Sequence, residues 1–65
     1  MATNRFERAI RYLLAIQRGE GVSAPWMVQQ FGISLAQAKR DLVELECVLP
    51  VVRVRRDRRS VLVMA

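Results

Sequence analysis

The stretch FGISLAQAKRDLVELE, Phe31 to Glu46, decides how this chain is read. Phe31 and Gly32 close one helical pattern, and Ile33 and Ser34 open the next. Ser34 is a suitable N-cap, and Gln37 three residues later completes capping-box spacing. From Leu35 to about Glu46 the pattern predicts a helix that buries Ala38, Leu42 and Leu45. Its other side offers Ala36, Gln37, Arg40, Val43 and Glu44, with Lys39 at the boundary, while Asp41, unwelcome near phosphates, is expected to pair in the neighbourhood of Arg40 or with an Arg of another segment. Two short helices joined by a tight Gly-containing turn form a helix-turn-helix pattern, whose second helix normally enters a DNA major groove. Gln pairs well with adenine, and Arg with guanine or phosphate.

Upstream, Ser23 is an N-cap and Pro25 is tolerated in a first turn, so a helix is expected from about Ala24 to Phe31. Ala24, Met27, Val28 and Phe31 form its buried stripe. Trp26 lies off that stripe. It either packs over the sheet or the first helix, or anchors a protein partner, a role in which Trp is enriched. Further upstream, Asn4 and Glu7 have capping-box spacing before another amphipathic helix that ends near Arg18, with Gly19 as a left-handed stop. Phe6, Ala9, Ile10, Leu13 and Leu14 fall on one side of it and are expected to cover the core. Arg8, Arg11, Ala15 and Arg18 fall on the other. Val22 suits a short extended piece.

Downstream, Pro50 ends helical continuation and the period changes to two. In VVRVRR (Val51 to Arg56), Val52 and Val54 share one side, and Arg53 and Arg55 the other. SVLVMA (Ser60 to Ala65) is a second β-rich run, and Arg56-Asp57-Arg58-Arg59 between them has hairpin length. The expected fold is therefore small α+β, a winged helix-turn-helix: three helices followed by a two-stranded β-hairpin wing, as one domain over residues 1–65.

Sixty-five residues allow one small core, with about 60% of the unfolded chain's surface buried at this size. The single Cys47 has no internal disulfide partner, and without His there is no Cys/His metal site. Cys47 is expected as a small buried hydrophobe. Neither cofactor nor metal is expected, and a second copy of the chain is the expected extra support. The N-terminus carries charge too early for a signal peptide, and no apolar run approaches the roughly 20 residues of a membrane span. A cytoplasmic location with no membrane partner follows as the expectation.

The net charge of +5 is unevenly placed: residues 53–65 carry five Arg against Asp57, whereas residues 35–52 carry two cations against three acids. Ten Arg to one Lys favours phosphate and base edges over mere solubility. An Arg-rich hairpin tip directly behind a helix-turn-helix would carry Arg into a minor groove or along the backbone. Catalysis has no foothold. There is no Ser/Lys or Cys/His pairing, no phosphate-cradling Gly loop, and Glu44 and Glu46 do not share a helical face.

RYLLAIQRGEGVSAPWMVQQFGISLAQAKRDLVELE resembles the N-terminal winged helix-turn-helix of DeoR-type bacterial regulators, and is similar to that of regulators carrying a WYL domain. The matching residues are Leu13, Leu14 and Gln17; Val22 and Ser23; Phe31, Gly32, Ile33 and Ser34; and Arg40, Asp41, Leu42, Leu45 and Glu46. The resemblance spans roughly residues 10 to 63. It implies Ser34, Leu35, Ala36, Gln37, Lys39 and Arg40 as a DNA-facing recognition helix, with Arg53, Arg55, Arg56, Arg58 and Arg59 on the wing. Gln37 stands where Thr is usual, Leu35 where a polar residue is common and Trp26 where Glu is common, so base preference does not carry over. The C-terminal sensor and oligomerisation domain of that family is not expected here, so the resemblance implies no small-molecule control.

The expected function is thus sequence-specific binding of double-stranded DNA by a small stand-alone regulator, a repressor or excisionase-like factor of the kind phages and mobile elements encode. The competing expectation is a protein-interaction module using an apolar patch of Trp26, Leu35 and Val43. That patch, or an unpaired strand edge at Val61 to Met64, could also join two copies of the chain.

Overall fold

The computed structural model describes residues 4–65, so the first three residues of the early-charged N-terminus lie outside it. Three helices, α1 (Arg5–Gln17), α2 (Ala24–Phe31) and α3 (Leu35–Val48), precede an antiparallel hairpin of β1 (Val51–Arg56) and β2 (Arg59–Met64). Each helix starts where its cap dictates. The Asn4 side chain accepts the Glu7 N–H at 2.7 Å, Ser23 accepts that of Trp26 at 3.2 Å, and Ser34 accepts that of Gln37 at 3.1 Å. These bonds satisfy amide groups that a helix start leaves without partners. Gly32 ends α2 in the left-handed region at φ 65°, which reverses the chain into α3 within three residues. A β-carbon at Gly32 would meet no atom within 4 Å, so the requirement for glycine there is conformational rather than steric. Helix α3 runs two residues past the expected end, and Leu49 then takes an extended conformation ahead of Pro50.

The hairpin pairs Val51 with Met64 through to Arg56 with Arg59, leaving Asp57 and Arg58 as a two-residue turn. Val22 joins β2 from its other side, exchanging two backbone hydrogen bonds with Leu62 at 3.1 and 2.8 Å. The extended piece expected at Val22 is therefore present, and it covers part of the β2 edge that the sequence suggested would be unpaired. Leu62, fully buried, lies on the same hairpin face as Arg53. The hairpin is thus tied to the body through the side that carries Arg, while Val52 on the opposite side is 43% exposed.

The core gathers Tyr12 and Ile16 of α1, Met27 of α2, Ala38, Leu42 and Leu45 of α3, and Val22 and Leu62. Two expectations fail here. Helix α1 is turned about its axis: Tyr12, Ala15, Ile16 and Arg8 are buried, while Phe6, Ile10 and Leu14 are 74%, 45% and 44% exposed, and Ala9 is also exposed. The helix is apolar on two faces, and the narrower one, which also carries Arg8 and Tyr12 as partners for Asp41 of α3, faces inward. Cys47 is exposed rather than buried. It follows Ala36, Arg40 and Val43 along the outward line of α3, at helical spacing.

Trp26 is half-buried and packs with its ring centroid 6.3 Å from Tyr12 and 5.9 Å from Phe31, the last two meeting edge-on at 5.3 Å. Packing against the first helix is one of the two roles the sequence left open for it. Trp26 and Val43 line different grooves, so the apolar patch expected from Trp26, Leu35 and Val43 has no common cleft.

Candidate nucleic-acid interface

Besides the apolar packing of Ala38, Leu42 and Leu45, one buried carboxylate ties α3 to α1. Asp41 Oδ2 accepts from Arg8 Nε at 3.1 Å and from the Tyr12 hydroxyl at 2.7 Å, and its Oδ1 accepts from Gln37 Nε2 at 2.8 Å. All three donors reach a side chain that is 6% exposed. Burial by itself would raise the Asp41 pKa, but the bonds from Tyr12, Gln37 and Arg8, with the Arg8 charge, hold it below the usual carboxylate value. Burial, then the bond to Asp41, pushes the Tyr12 phenol well above its ordinary value. Burial opposes the Arg8 charge, and Asp41 more than offsets it.

The sign of the pH dependence follows from the depressed value. The stability Asp41 contributes is complete above the ordinary carboxylate pKa of about 4 and is lost as pH falls through the lower folded value. Urea midpoints measured from pH 7 down to about 2.5 should fall at the acid end, and Asp41→Asn should remove the part of that fall due to this residue.

The same network extends outward. Arg40 Nη2 donates to Gln37 Oε1 at 3.3 Å, so both ends of the Gln37 amide are engaged, one by Asp41 and one by Arg40. Of the α3 residues expected to face DNA, Leu35, Ala36, Lys39 and Arg40 are exposed, and Arg40 is steered from behind. Gln37 is half-buried and turned inward, and the Ser34 hydroxyl is occupied by its cap. Of the two pairings the sequence left open for Asp41, the one with an Arg of another segment holds, through Arg8 of α1, but the sequence reading missed the rest of the cluster, Tyr12 and Gln37. Its one legible signal was that Asp41 borders the stripe of Ala38, Leu42 and Leu45 and stands four residues after Gln37.

Charge is sorted across the molecule. Arg5 pairs with Glu44, Arg8 with Asp41 at 3.1 Å, Arg11 with Glu7 at 3.6 Å, Arg18 with Glu20 at 3.7 Å, and Arg53 with Glu46. The exposed pairs among these add little stability, but they neutralise the helical body. Among the described residues, Lys39, Arg40, Arg55, Arg56, Arg58 and Arg59 have no ion-pair partner, and Asp57 is the acid left over. The net charge of +5 is thus carried by α3 and the hairpin. Arg53, expected to act with the other hairpin cations, is held against Glu46 instead. A groove of about 450 Å³ separates α3 from the hairpin, with Lys39 and Val43 on one wall and Arg53, Arg58 and Arg59 on the other. The N-terminal residues of α2, Ala24 and Pro25, close one end of it.

The hairpin tip is strained. Asp57 and Arg58 both have positive φ, 49° and 67°, as a two-residue turn of this kind demands. Asn-Gly or Asp-Gly would adopt that turn without penalty, whereas an L residue with a β-carbon there costs about 1–2 kcal/mol. Arg58→Gly should therefore stabilise the fold by about 1 kcal/mol in urea denaturation.

Among the described residues no cluster of His, Cys, Asp or Glu could hold a metal ion, and no helix is long and apolar enough to cross a membrane. No family model, no curated protein and no solved structure matches the chain.

Proposed function

We propose that this chain is a sequence-specific double-stranded DNA-binding protein of the winged helix-turn-helix type, without enzymatic activity or cofactor. In this reading α3 is the recognition helix and the β1–β2 hairpin is the wing. The observation that carries it is the sorting of charge: every acid but Asp57 neutralises a cation of the body or Arg53, while the unpaired cations are confined to α3 and the hairpin, with Lys39, Arg58 and Arg59 lining the groove between them. A merely soluble protein has no need to concentrate free Arg on its most strained turn. The finer reading is a small cytoplasmic regulator related to the DeoR-type pattern, a repressor or excisionase-like factor of phage or mobile-element kind. It rests on the residues of that resemblance.

In this reading the labour is divided. Arg55, Arg56, Arg58 and Arg59 hold phosphates, Lys39 reaches the backbone beside α3, and Arg40 reads a base edge with Gln37 fixing its direction. Selection from a random duplex library, followed by binding at stepped salt, tests this. One site should be enriched, with log K falling against log salt at about −0.9 per phosphate contact. Arg40→Ala should cost about 1–3 kcal/mol on the selected site and much less on random duplex. Gln37→Ala should show the same selectivity loss at smaller size. Affinity that hardly changes between about 50 and 200 mM salt would falsify the reading. The second reading, a module that binds a protein partner, draws on exposed Leu35 and Val43. It gains if Val43→Glu removes a captured partner while duplex binding is absent in the unaltered chain.

A further inference from the structure

Helix α1 has an apolar face that none of the other described residues covers. Phe6, Ile10 and Leu14 recur at helical spacing on it, and Val48 at the end of α3 is 74% exposed. Between α1 and α3 lies a small apolar hollow of about 100 Å³, with Ala9, Tyr12 and Leu45 among its lining and Val48 and the Arg5–Glu44 pair at its sides. Phe6, itself 74% exposed, projects from the same helix three residues before Ala9 and does not line that hollow. One surface thus carries both a protruding ring and an empty apolar recess.

We infer that this face is the self-association surface of the protein, and that its occupant is a second copy related by two-fold symmetry. In such a contact each residue meets its counterpart reciprocally, so a knob and a hole on one patch satisfy each other twice. With the two α1 helices antiparallel, Phe6 of each copy enters the Ala9–Leu45–Val48 recess of the other. Charge favours this occupant. Two chains of +5 repel, yet the charged groups around this face are all paired: Arg5 with Glu44, Arg8 with Asp41, Arg11 with Glu7. The unpaired cations lie on the outward side of α3 and on the hairpin. Among the described residues no unpaired charge lies here to recruit a nucleic acid or a strongly charged partner.

Area sets the strength. A standard interface buries about 800 Å² per partner, about a sixth of the 4644 Å² exposed by this chain. Helix α1 has 13 residues and is about 20 Å long, so a contact along its face with Val48 falls at or below the low end of that class. The dimer is accordingly a reversible one, of micromolar dissociation constant.

The test contains no nucleic acid, so it stands apart from the DNA reading. Sedimentation velocity of the unaltered chain from about 1 to 200 µM should pass from monomer to dimer. Phe6→Ser removes the knob, and Val48→Lys puts a charge at the hole where the C-terminal end of α3 tolerates a cation. Both residues are largely exposed, so circular dichroism and melting should be unchanged. Each variant should associate at least about a hundredfold more weakly, because every lost contact is lost twice. An equimolar mixture of the two should associate more tightly than either alone, since one knob and one hole remain intact in the mixed pair. A monomer throughout that range, association unchanged in either variant, or no recovery in the mixture would overturn the inference.

Discussion

Asp41→Ala should leave most of the chain unfolded at room temperature or close to its midpoint. The substitution strands the Arg8 guanidinium and the Tyr12 hydroxyl without their acceptor, and the Arg8 and Asp41 side chains are only 10% and 7% exposed. Removing one partner of a buried ion pair costs about 3–5 kcal/mol. A domain of 65 residues has about 3–10 kcal/mol in total. The cost is therefore comparable to the whole stability. The pair is not stabilising in the sense that apolar packing would be. Arg8→Met and Asp41→Leu combined with Tyr12→Phe should recover most of the loss, because both charges and the stranded hydroxyl are then removed together. Urea denaturation followed by circular dichroism measures both variants. A single-variant loss under about 1 kcal/mol would show that Arg8 escapes to solvent and that the pair does not fix α1 against α3.

The second large effect concerns affinity instead of folding. Replacing Arg55, Arg56, Arg58 and Arg59 together with Ser should weaken duplex binding about 10²–10³-fold at moderate salt, and should flatten the salt slope by about 2–4. Stability should stay level or rise, since none of the four has an ion-pair partner among the described residues and Arg58 is strained. Arg53→Ser is the matched control. Arg53 sits in the same strand but is paired with Glu46, so its loss should cost clearly less affinity than Arg58→Ser. Filter binding or fluorescence anisotropy over a salt series separates the two. Equal losses at Arg53 and Arg58 would mean that pairing with Glu46 does not persist when phosphate is near, and that charge sorting is not what selects the binding surface.

Much of this architecture is legible from neighbours in the chain. Asn4, Ser23 and Ser34 announce three helix starts, Gly32 the turn, Pro50 the end of the helical region, and the alternation of VVRVRR the hairpin. Each signal acts over three or four residues, the range over which a cap or a turn forms its bonds. The exposed cations at Lys39, Arg40, Arg55, Arg56, Arg58 and Arg59 were legible too, because long charged side chains rarely bury without a partner.

What could not be read is where a partner lies far along the chain. Helix α1 offers two apolar faces, and hydropathy favours the broader one with Phe6, Ile10 and Leu14. The inward face is the one that also meets Asp41, 33 residues from Arg8, which needed a cation and a hydroxyl once buried. The same holds for Gln37, whose free amide on a helix diagram becomes a link between Asp41 and Arg40, and for Arg53, which lost its independence to Glu46. Local bonding determined the elements, their ends and the count of charges. Only the assembled fold decided which charges cancel and which face of α1 is left open, because ion pairing and burial depend on distance in space, and a sequence records distance along the chain alone.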